Sequence, residues 1–178
     1  MADIAQLQQR LHDLEAQQAA RACMNRYMAL CDQLNAGTPL DELAQLFTHN
    51  AVWEGKGARY AGSFGGYRGR EAIAQMFATY MTEPAHFALN VHFLTSELIE
   101  VDGERVTGSW IMLQASTFAS GASHMNAARL SVAFAFEEQR WRIAHFQTEN
   151  LFSRPVAAWN SEAQLPVPGG ARIATNSG

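Results

Sequence analysis

The chain has 178 residues with a formal net charge of −4, and 48% of them are hydrophobic against 17% that are charged. This length predicts one domain with a sizeable core, and the low charged fraction leaves apolar surface for a pocket or an oligomer interface. Lys56 is the single lysine and no basic cluster occurs, which argues against nucleic acid as a partner.

The two cysteines and the N-terminal segment indicate the compartment. Cys23 and Cys31 lie eight residues apart on one predicted helix, so helical rise alone separates them by about 12 Å, which is too far for a disulfide. The N-terminal segment is polar and amphipathic, unlike a signal peptide, and no apolar run reaches the length of a membrane span. These features predict a cytoplasmic protein without a membrane partner.

The first predicted element is a long helix with an apolar stripe at spacings of three and four residues. The stripe consists of Ile4, Leu7, Leu11 and Leu14. Such a stripe either packs as an ordinary amphipathic face or docks onto a partner subunit. We expect the helix to run through Cys31, with a break near Gln17 and Gln18, and to end before Gly37.

Two further helices and one short strand follow. Thr38-Pro39 supplies a hydroxyl cap and an N-terminal proline, which predict a second helix. A short strand then carries Trp53, and residues 55–69 are rich in glycine, which is typical of a loop over a pocket mouth. A third helix begins after this loop, and Pro84 stops it.

The remainder is predicted as sheet. Expected strands are His92–Val101, Val106–Phe118, Ala128–Phe136 and Trp141–Glu149. Asp102-Gly103 predicts a tight hairpin turn between the first two. The fold class is therefore α+β, with three N-terminal helices packed on a curved, mainly antiparallel sheet. Residues 1–160 form the predicted domain, and residues 161–178 a loose tail.

Five phrases in one order carry a family resemblance: RYMALCD, LAQLFTHNAVWE, YRGREAIAQMF, HFLTSELIEVDGERV, and RWRIAHF followed by FSRPVAAW. Together they resemble the SnoaL-like group of the NTF2-like superfamily. The resemblance implies a cystatin-like cone, in which helices cover a strongly bent mixed sheet around an apolar pocket. Members include scytalone dehydratase, bile acid 7α-dehydratase, steroid isomerases and polyketide cyclases, and others only bind ligands, so the fold leaves the activity open.

The resemblance implies three catalytic residues: Tyr27, Asp32 and His92. Tyr27 and Asp32 fall where dehydratase-like members carry a tyrosine and an aspartate on the first helix, and His92 falls where they place a histidine. A carboxylate at one ring nitrogen fixes the tautomer and makes the other nitrogen a base, while a phenol assists a leaving hydroxyl or an oxyanion. Without the resemblance, the simplest interpretation is that Tyr27 packs in the core and that His92 has a structural role. His86 is the alternative histidine, but its distance to the hairpin differs.

One departure from the family concerns the strand after the hairpin. Where several members add a second acid or histidine, this chain has Gln114, Ala115 and Ser116. The chain therefore lacks the group on which a second base-assisted step would rely, whereas Gln114 or Ser116 is able to hydrogen-bond a substrate.

Further candidates are pocket residues. The large aromatic residues are expected mainly to pack in the core, and their alternative role is to line a pocket for a flat ligand. The predicted substrate contacts are Trp53, Phe77, Trp110, Gln114, Asn126 and His145. His124, Arg129, Phe146 and Arg154 are weaker candidates. No metal site is predicted, because the histidines show neither an HxH nor an HExxH pattern.

The favoured function is a cofactor-independent lyase of the dehydratase type, which moves protons on a small hydrophobic, ring-containing metabolite. An isomerase or cyclase uses the same residues, and a non-catalytic ligand-binding domain is the alternative outside enzymes. A β subunit of a ring-hydroxylating oxygenase shares the fold but needs an iron-containing partner. A homodimer or homotrimer is expected.

Overall fold

The computed structural model describes residues 3–57, 60 and 65–157. Three helices occur in this part of the chain: α1 (Ile4–Asp32), α2 (Leu40–Gln45) and α3 (Arg70–Ala78). Six strands accompany them: β1 (Phe47–Lys56), β2 (Gly66–Arg68), β3 (Phe87–Asp102), β4 (Arg105–Phe118), β5 (Ser123–Glu137) and β6 (Arg140–Val156).

The six strands form one mixed sheet in the order β2-β1-β6-β5-β4-β3. Only β1 and β6 pair in parallel, and the four other neighbouring pairs are antiparallel. The predicted hairpin is present: Asp102 pairs with Arg105, and Gly103 adopts a φ of +59°, which glycine reaches without the steric cost of a Cβ. The α+β class and the mixed, mainly antiparallel sheet are confirmed.

Several sequence-based boundaries are wrong. The third helix follows β1 and β2, so the three helices do not precede the sheet together. Helix α1 continues through Gln17 and Gln18 without a break, since alanines on either side keep the helix regular. His92 is an interior residue of β3 and does not open it, because the strand begins at Phe87. Strand β5 already begins at Ser123, before the predicted start at Ala128, because its first residues pair with β4.

Two predicted segments lie partly or wholly outside the described residues. In the predicted loop 55–69, the structure places the end of β1 and the whole of β2, so this part is strand, while residues 58–59 and 61–64 are not described. The tail 161–178 also lies outside them. No helix in the described ranges combines the length and the apolar character that a membrane crossing requires.

The core lies between the helices and one face of the sheet. From Ala16 onward, helix α1 buries Ala16, Ala20, Met24 and Tyr27 at spacings of three and four residues. In β4 burial alternates along the strand, so that Val106, Gly108, Trp110 and Met112 face inward. These two periodicities bring the end of α1 against the sheet.

The N-terminal half of α1 is different. Its predicted apolar stripe, here called the N-terminal stripe (Ile4, Leu7, Leu11 and Leu14), is more than half exposed at every position. The stripe therefore does not pack into the described core of its own chain. Arg10 and Glu15 flank it with opposite charges.

Candidate active site

A cavity of about 210 Å³ opens between α1, α3 and the inward face of the sheet. Its wall is mostly apolar and aromatic. Six of the residues predicted for the site line it: Tyr27, Trp53, Phe77, His92, Gln114 and Asn126. The structure thus brings together side chains from α1, β1, α3, β3, β4 and β5.

Asp32 and His92 form a close pair at this cavity. Oδ1 of Asp32 lies 2.7 Å from Nδ1 of His92 and also accepts the backbone N–H of His92 at 2.9 Å. An ionised carboxylate only accepts, so Nδ1 carries the proton and Nε2 of the neutral ring is left as a base. The His92 side chain is 10% exposed and that of Asp32 27%.

The end of α1 is tied to β3 at two points. Asp32 is the last residue of the helix, and the carbonyl of Cys31 accepts a hydrogen bond from Nδ2 of Asn90 at 3.0 Å. Carbonyls in the last turn of a helix lack intrahelical partners, so the Asn90 amide takes the place of a cap. Both contacts hold the Asp32 carboxylate next to the His92 imidazole.

Tyr27 is buried in an aromatic cluster at the cavity wall. Its ring contacts those of Phe47, Phe77 and Phe146 at centroid distances of 5.7, 5.9 and 5.1 Å. Its hydroxyl accepts the indole N–H of Trp53 at 3.1 Å. This hydrogen bond does not use the hydroxyl proton, and the phenol shares a second hydrogen bond with the thiol of Cys31.

Burial governs the acidity of the groups around Tyr27. Desolvation raises the pKa of the Tyr27 phenol well above 10, and the neighbouring Cys31 thiol adds to this effect. Desolvation also raises the pKa of Cys31 to about 12, although a hydrogen bond with Tyr27 opposes the shift. Both groups are therefore neutral near pH 7, and the phenol acts as a hydrogen-bond donor there.

Within this architecture the sequence matches the SnoaL-like domain over residues 12–147, a span that includes Tyr27, Asp32 and His92. The chain belongs to the SnoaL-like domain family. Among curated proteins, no sequence matches the chain.

Solved structures share the fold of this SnoaL-like domain. A hexachlorocyclohexane dehydrochlorinase is 17% identical over 86% of this chain and 97% of its own, with a TM-score of 0.67. A protein from Novosphingobium aromaticivorans, provisionally named scytalone dehydratase, is 15% identical over 85% and 97%, with a TM-score of 0.66. An NTF2-like protein with a cystatin-like fold from the same organism is 21% identical over 85% and 92%, with a TM-score of 0.61. At these identities the likeness shows the fold alone, and it confirms the NTF2-like prediction.

Two predicted contacts of the SnoaL-like domain do not line the cavity. Trp110 is 2% exposed and donates its indole N–H to Glu97 at 3.2 Å, so it belongs to the packed core. His145 precedes Phe146, which faces inward, and strand alternation turns His145 to the other face of the sheet. There its Nε2 lies 2.9 Å from Glu54.

Of the weaker candidates, Phe146 lines the cavity, whereas His124, Arg129 and Arg154 lie outside its wall, as His86 does. His86, the alternative catalytic histidine, packs edge-on against Tyr80, Phe87 and Phe118. The other three have polar partners on β6: His124 contacts Ser153, Arg129 faces Glu149, and Arg154 donates to the carbonyl of Ser153.

Sequence reasoning missed Asn90, which lies two residues before His92 on the same face of β3 and lines the cavity. Its signal was strand alternation, which was lost because the strand was expected to begin at His92. Ser116, one of the two polar residues of the next strand, bonds Asn90 at 3.0 Å and does not line the cavity.

A second histidine–carboxylate pair has the same local geometry but a different place. Oε1 of Glu137 lies 2.8 Å from Nδ1 of His49 and accepts the backbone N–H of His49 at 3.0 Å. The His49 side chain is 58% exposed, and Arg70 also donates to Glu137 at 3.0 Å. His49, Glu137 and Glu138 lie close enough together to ligate a metal, but Arg70 already supplies a cation to this group.

Proposed function

We propose that the protein is a cofactor-independent lyase of the dehydratase type, which acts on a small hydrophobic molecule that contains a ring. The observation that carries this proposal is the 2.7 Å contact between Asp32 and His92 at the wall of a mostly apolar cavity of about 210 Å³. Such a cavity has room for a ligand of one or two fused rings, and its aromatic wall favours a flat one.

The proposed reaction needs only proton transfers. Nε2 of His92 removes a proton from a carbon next to the substrate carbonyl, and the electrons of that C–H bond form an enolate. The enolate then restores its carbonyl as a carbon–carbon double bond forms and the bond to the leaving hydroxyl breaks. His92 then returns the proton to the leaving oxygen, which departs as water. Asp32 stabilises the imidazolium that exists between the two transfers.

Tyr27 has a supporting role in this reaction. Because burial raises its pKa, the phenol stays neutral and donates a hydrogen bond to the leaving hydroxyl. The hydrogen bond from Trp53 to the phenol oxygen orients the ring's hydroxyl group. This role requires no ionisation of Tyr27.

Other functions of the same residues differ in their products. An isomerase or cyclase would return the proton to another carbon and leave the mass of the substrate unchanged, whereas a lyase releases water. The names of two structures with this fold, a dehydrochlorinase and a provisional dehydratase, agree with elimination. A non-catalytic ligand-binding protein would bind ring compounds and convert none of them.

The test uses 3-hydroxy-1-tetralone, a two-ring ketone whose loss of water gives 1-naphthol. We expect the wild-type chain to form 1-naphthol, detected by its fluorescence and by a product mass lower by one water. His92→Gln and Asp32→Asn should each reduce kcat by a factor of about 10² to 10⁴, the usual contribution of a positioned general base.

A matched control is available in the same chain. His49→Gln removes a histidine with the same two contacts to a carboxylate but on an exposed surface, and it should leave kcat unchanged. Equal turnover by the His92→Gln variant and the wild type would refute the assignment of the base. Binding of the ketone without any conversion would favour the ligand-binding alternative.

A further inference from the structure

A chain of four side-chain amides crosses the cavity side of the sheet from β3 to β6. We call it the amide chain, and it consists of Asn90, Gln114, Asn126 and Asn150. Nε2 of Gln114 donates to Oδ1 of Asn90 at 2.8 Å, and Nδ2 of Asn126 lies 3.4 Å from Oε1 of Gln114. Nδ2 of Asn150 donates to Oδ1 of Asn126 at 2.6 Å. Each amide thus gives its nitrogen to the oxygen of the preceding one.

Backbone carbonyls at both ends fix the direction of these bonds. The carbonyl of Cys31 can only accept, so Asn90 must turn its Nδ2 toward it at 3.0 Å and present Oδ1 to Gln114. At the other end, the carbonyl of Phe152 accepts from Nδ2 of Asn150 at 3.1 Å. Both anchors require the same orientation of every amide, so a flip of any single amide would set like groups against each other.

Among the described residues, Asn90, Gln114 and Asn126 each keep one unused donor, whereas Asn150 uses both of its own, and the two middle amides are those nearest the centre of the sheet. Each amide nitrogen carries two N–H groups, and Gln114 and Asn126 spend one each on the amide chain among the described residues. Both residues line the cavity. A spare N–H in such a place demands a partner more strongly than a spare carbonyl lone pair does. This part of the cavity wall therefore favours a ligand that places a hydrogen-bond acceptor against it.

The unused donors of Gln114 and Asn126 lie near the proposed base, His92. Gln114 is the direct cross-strand partner of His92, and Asn126 is the direct partner of Gln114 on the next strand. Directly opposed side chains in an antiparallel pair have Cβ atoms about 5 Å apart. A ligand oxygen bound by the two amides would therefore lie close enough to the imidazole for both to contact the same ring of a ligand.

We infer that Gln114 and Asn126 form a two-donor site for one carbonyl oxygen of the ligand, with Asn90 as the residue that positions Gln114. This inference deepens the proposed function, on which it rests: it names ring ketones as the substrate class and assigns the enolate oxygen of the proton-transfer step to these amides. The negative charge that develops on that oxygen strengthens both hydrogen bonds during the reaction.

The test measures binding and not turnover, so it is separate from the test of the lyase. The probes are 1-tetralone, which has the carbonyl, and tetralin, which has the same rings without it. We expect the wild-type chain to bind 1-tetralone about tenfold more tightly than tetralin in isothermal titration calorimetry, and the bound carbonyl stretch to move to lower frequency in infrared difference spectra.

Variants separate the donors from general packing. Gln114→Met and Asn126→Leu keep the size of the side chain and remove its donors, and each should bring the affinity for 1-tetralone down toward that for tetralin while tetralin binding is retained. Gln147→Met makes the same change in a residue that bonds Glu54 outside the cavity, and it should change neither affinity. Circular dichroism of each variant checks the fold.

The outcomes distinguish this inference from the proposed function. Equal affinity of the wild type for both probes, binding of neither, or an unshifted carbonyl stretch would overturn the donor site, and conversion of 3-hydroxy-1-tetralone would still support a lyase. A shifted carbonyl stretch that Gln114→Met abolishes, in a protein that converts no hydroxyketone, would support the donor site and remove the lyase.

Discussion

Gly108 and Trp110 offer a stability test that needs no ligand. They lie two residues apart on the inward face of β4, and the Trp110 ring folds back over Gly108. A Cβ added at Gly108 would lie 2.6 Å from Cζ3 of Trp110 and closer still to Cη2. Carbon atoms attract best at about 3.5 to 4.0 Å, so Gly108→Ala forces the indole to move. Because Trp110 is 2% exposed, it has no solvent side to move into.

Two effects of Gly108→Ala oppose each other. Alanine is favoured over glycine in a strand by about 0.5 to 1 kcal/mol, because it loses less backbone entropy on folding. Overpacking a well-filled core costs about 1 to 3 kcal/mol. Displacement of Trp110 also disturbs its hydrogen bond to Glu97, which in turn pairs with Arg21 of α1 at 2.7 Å. We expect the steric effect to win, with a net loss of about 2 kcal/mol in the free energy of unfolding and of about 4 to 8 °C in Tm.

A double-mutant cycle isolates this contact. Trp110→Phe destabilises by itself, but it removes the atoms that the new Cβ would meet, so Gly108→Ala in that background should be neutral or slightly stabilising. The coupling, measured by urea unfolding monitored by circular dichroism, should be about 2 kcal/mol. A Gly108→Ala protein as stable as the wild type would refute the reasoning, and so would an equal loss in both backgrounds.

Two further predictions concern pH and self-association. Burial raises the pKa of the Cys23 and Cys31 thiols from 9.0 to about 12, so the native state holds these protons more tightly than the unfolded chain does. The free energy of unfolding should therefore be unaffected by them below about pH 9 and should fall as the pH rises from about 9 to about 12. Urea unfolding across that range measures the fall, which Cys23→Ala should lessen; a flat profile contradicts the prediction. The four residues of the N-terminal stripe have the a and d spacing of two consecutive heptads, so we expect the chain to self-associate through this stripe. Sedimentation equilibrium should show a dimer or trimer for the wild type and a monomer for the Leu7→Glu, Leu11→Glu double variant, whereas a monomeric wild type would count against it.

The sequence predicted the elements of this fold because local signals agreed with tertiary packing. Gly103 turns the β3–β4 hairpin as its backbone chemistry requires, and Thr38-Pro39 precedes α2. The predicted hydroxyl cap is wrong, because Pro39 is itself the N-cap and Thr38 donates its hydroxyl to the carbonyl of Gln33. Errors occurred at the strand ends, where β3 begins at Phe87 and not at His92, and β5 begins at Ser123 and not at Ala128. The additional residues join the sheet because neighbouring strands supply backbone partners, which a single sequence does not reveal.

The candidate site, like the fold, was predicted correctly in some residues and wrongly in others. The contact between Asp32 and His92 agrees with the family pattern, since helix length and strand register fix both residues. Trp110 and His145 were expected at the cavity on residue type alone, and type does not say which face of a sheet a residue occupies or how deep it lies. The catalytic roles themselves remain predictions until turnover is measured.

The parallel pairing of β1 with β6 has a consequence for how the cavity comes into being. Trp53 of β1 stacks on Phe146 of β6 at a centroid distance of 5.9 Å with an interplanar angle of 7°, and both line the cavity. These strands are separated along the chain by β2, α3 and three further strands, so their contact is among the most distant in sequence. A nascent chain still lacking β6 has the proposed base and its carboxylate but no closed aromatic wall. Ligand binding therefore reports on completion of the whole sheet, and a ring ketone should protect the finished fold while doing nothing for the chain that precedes it.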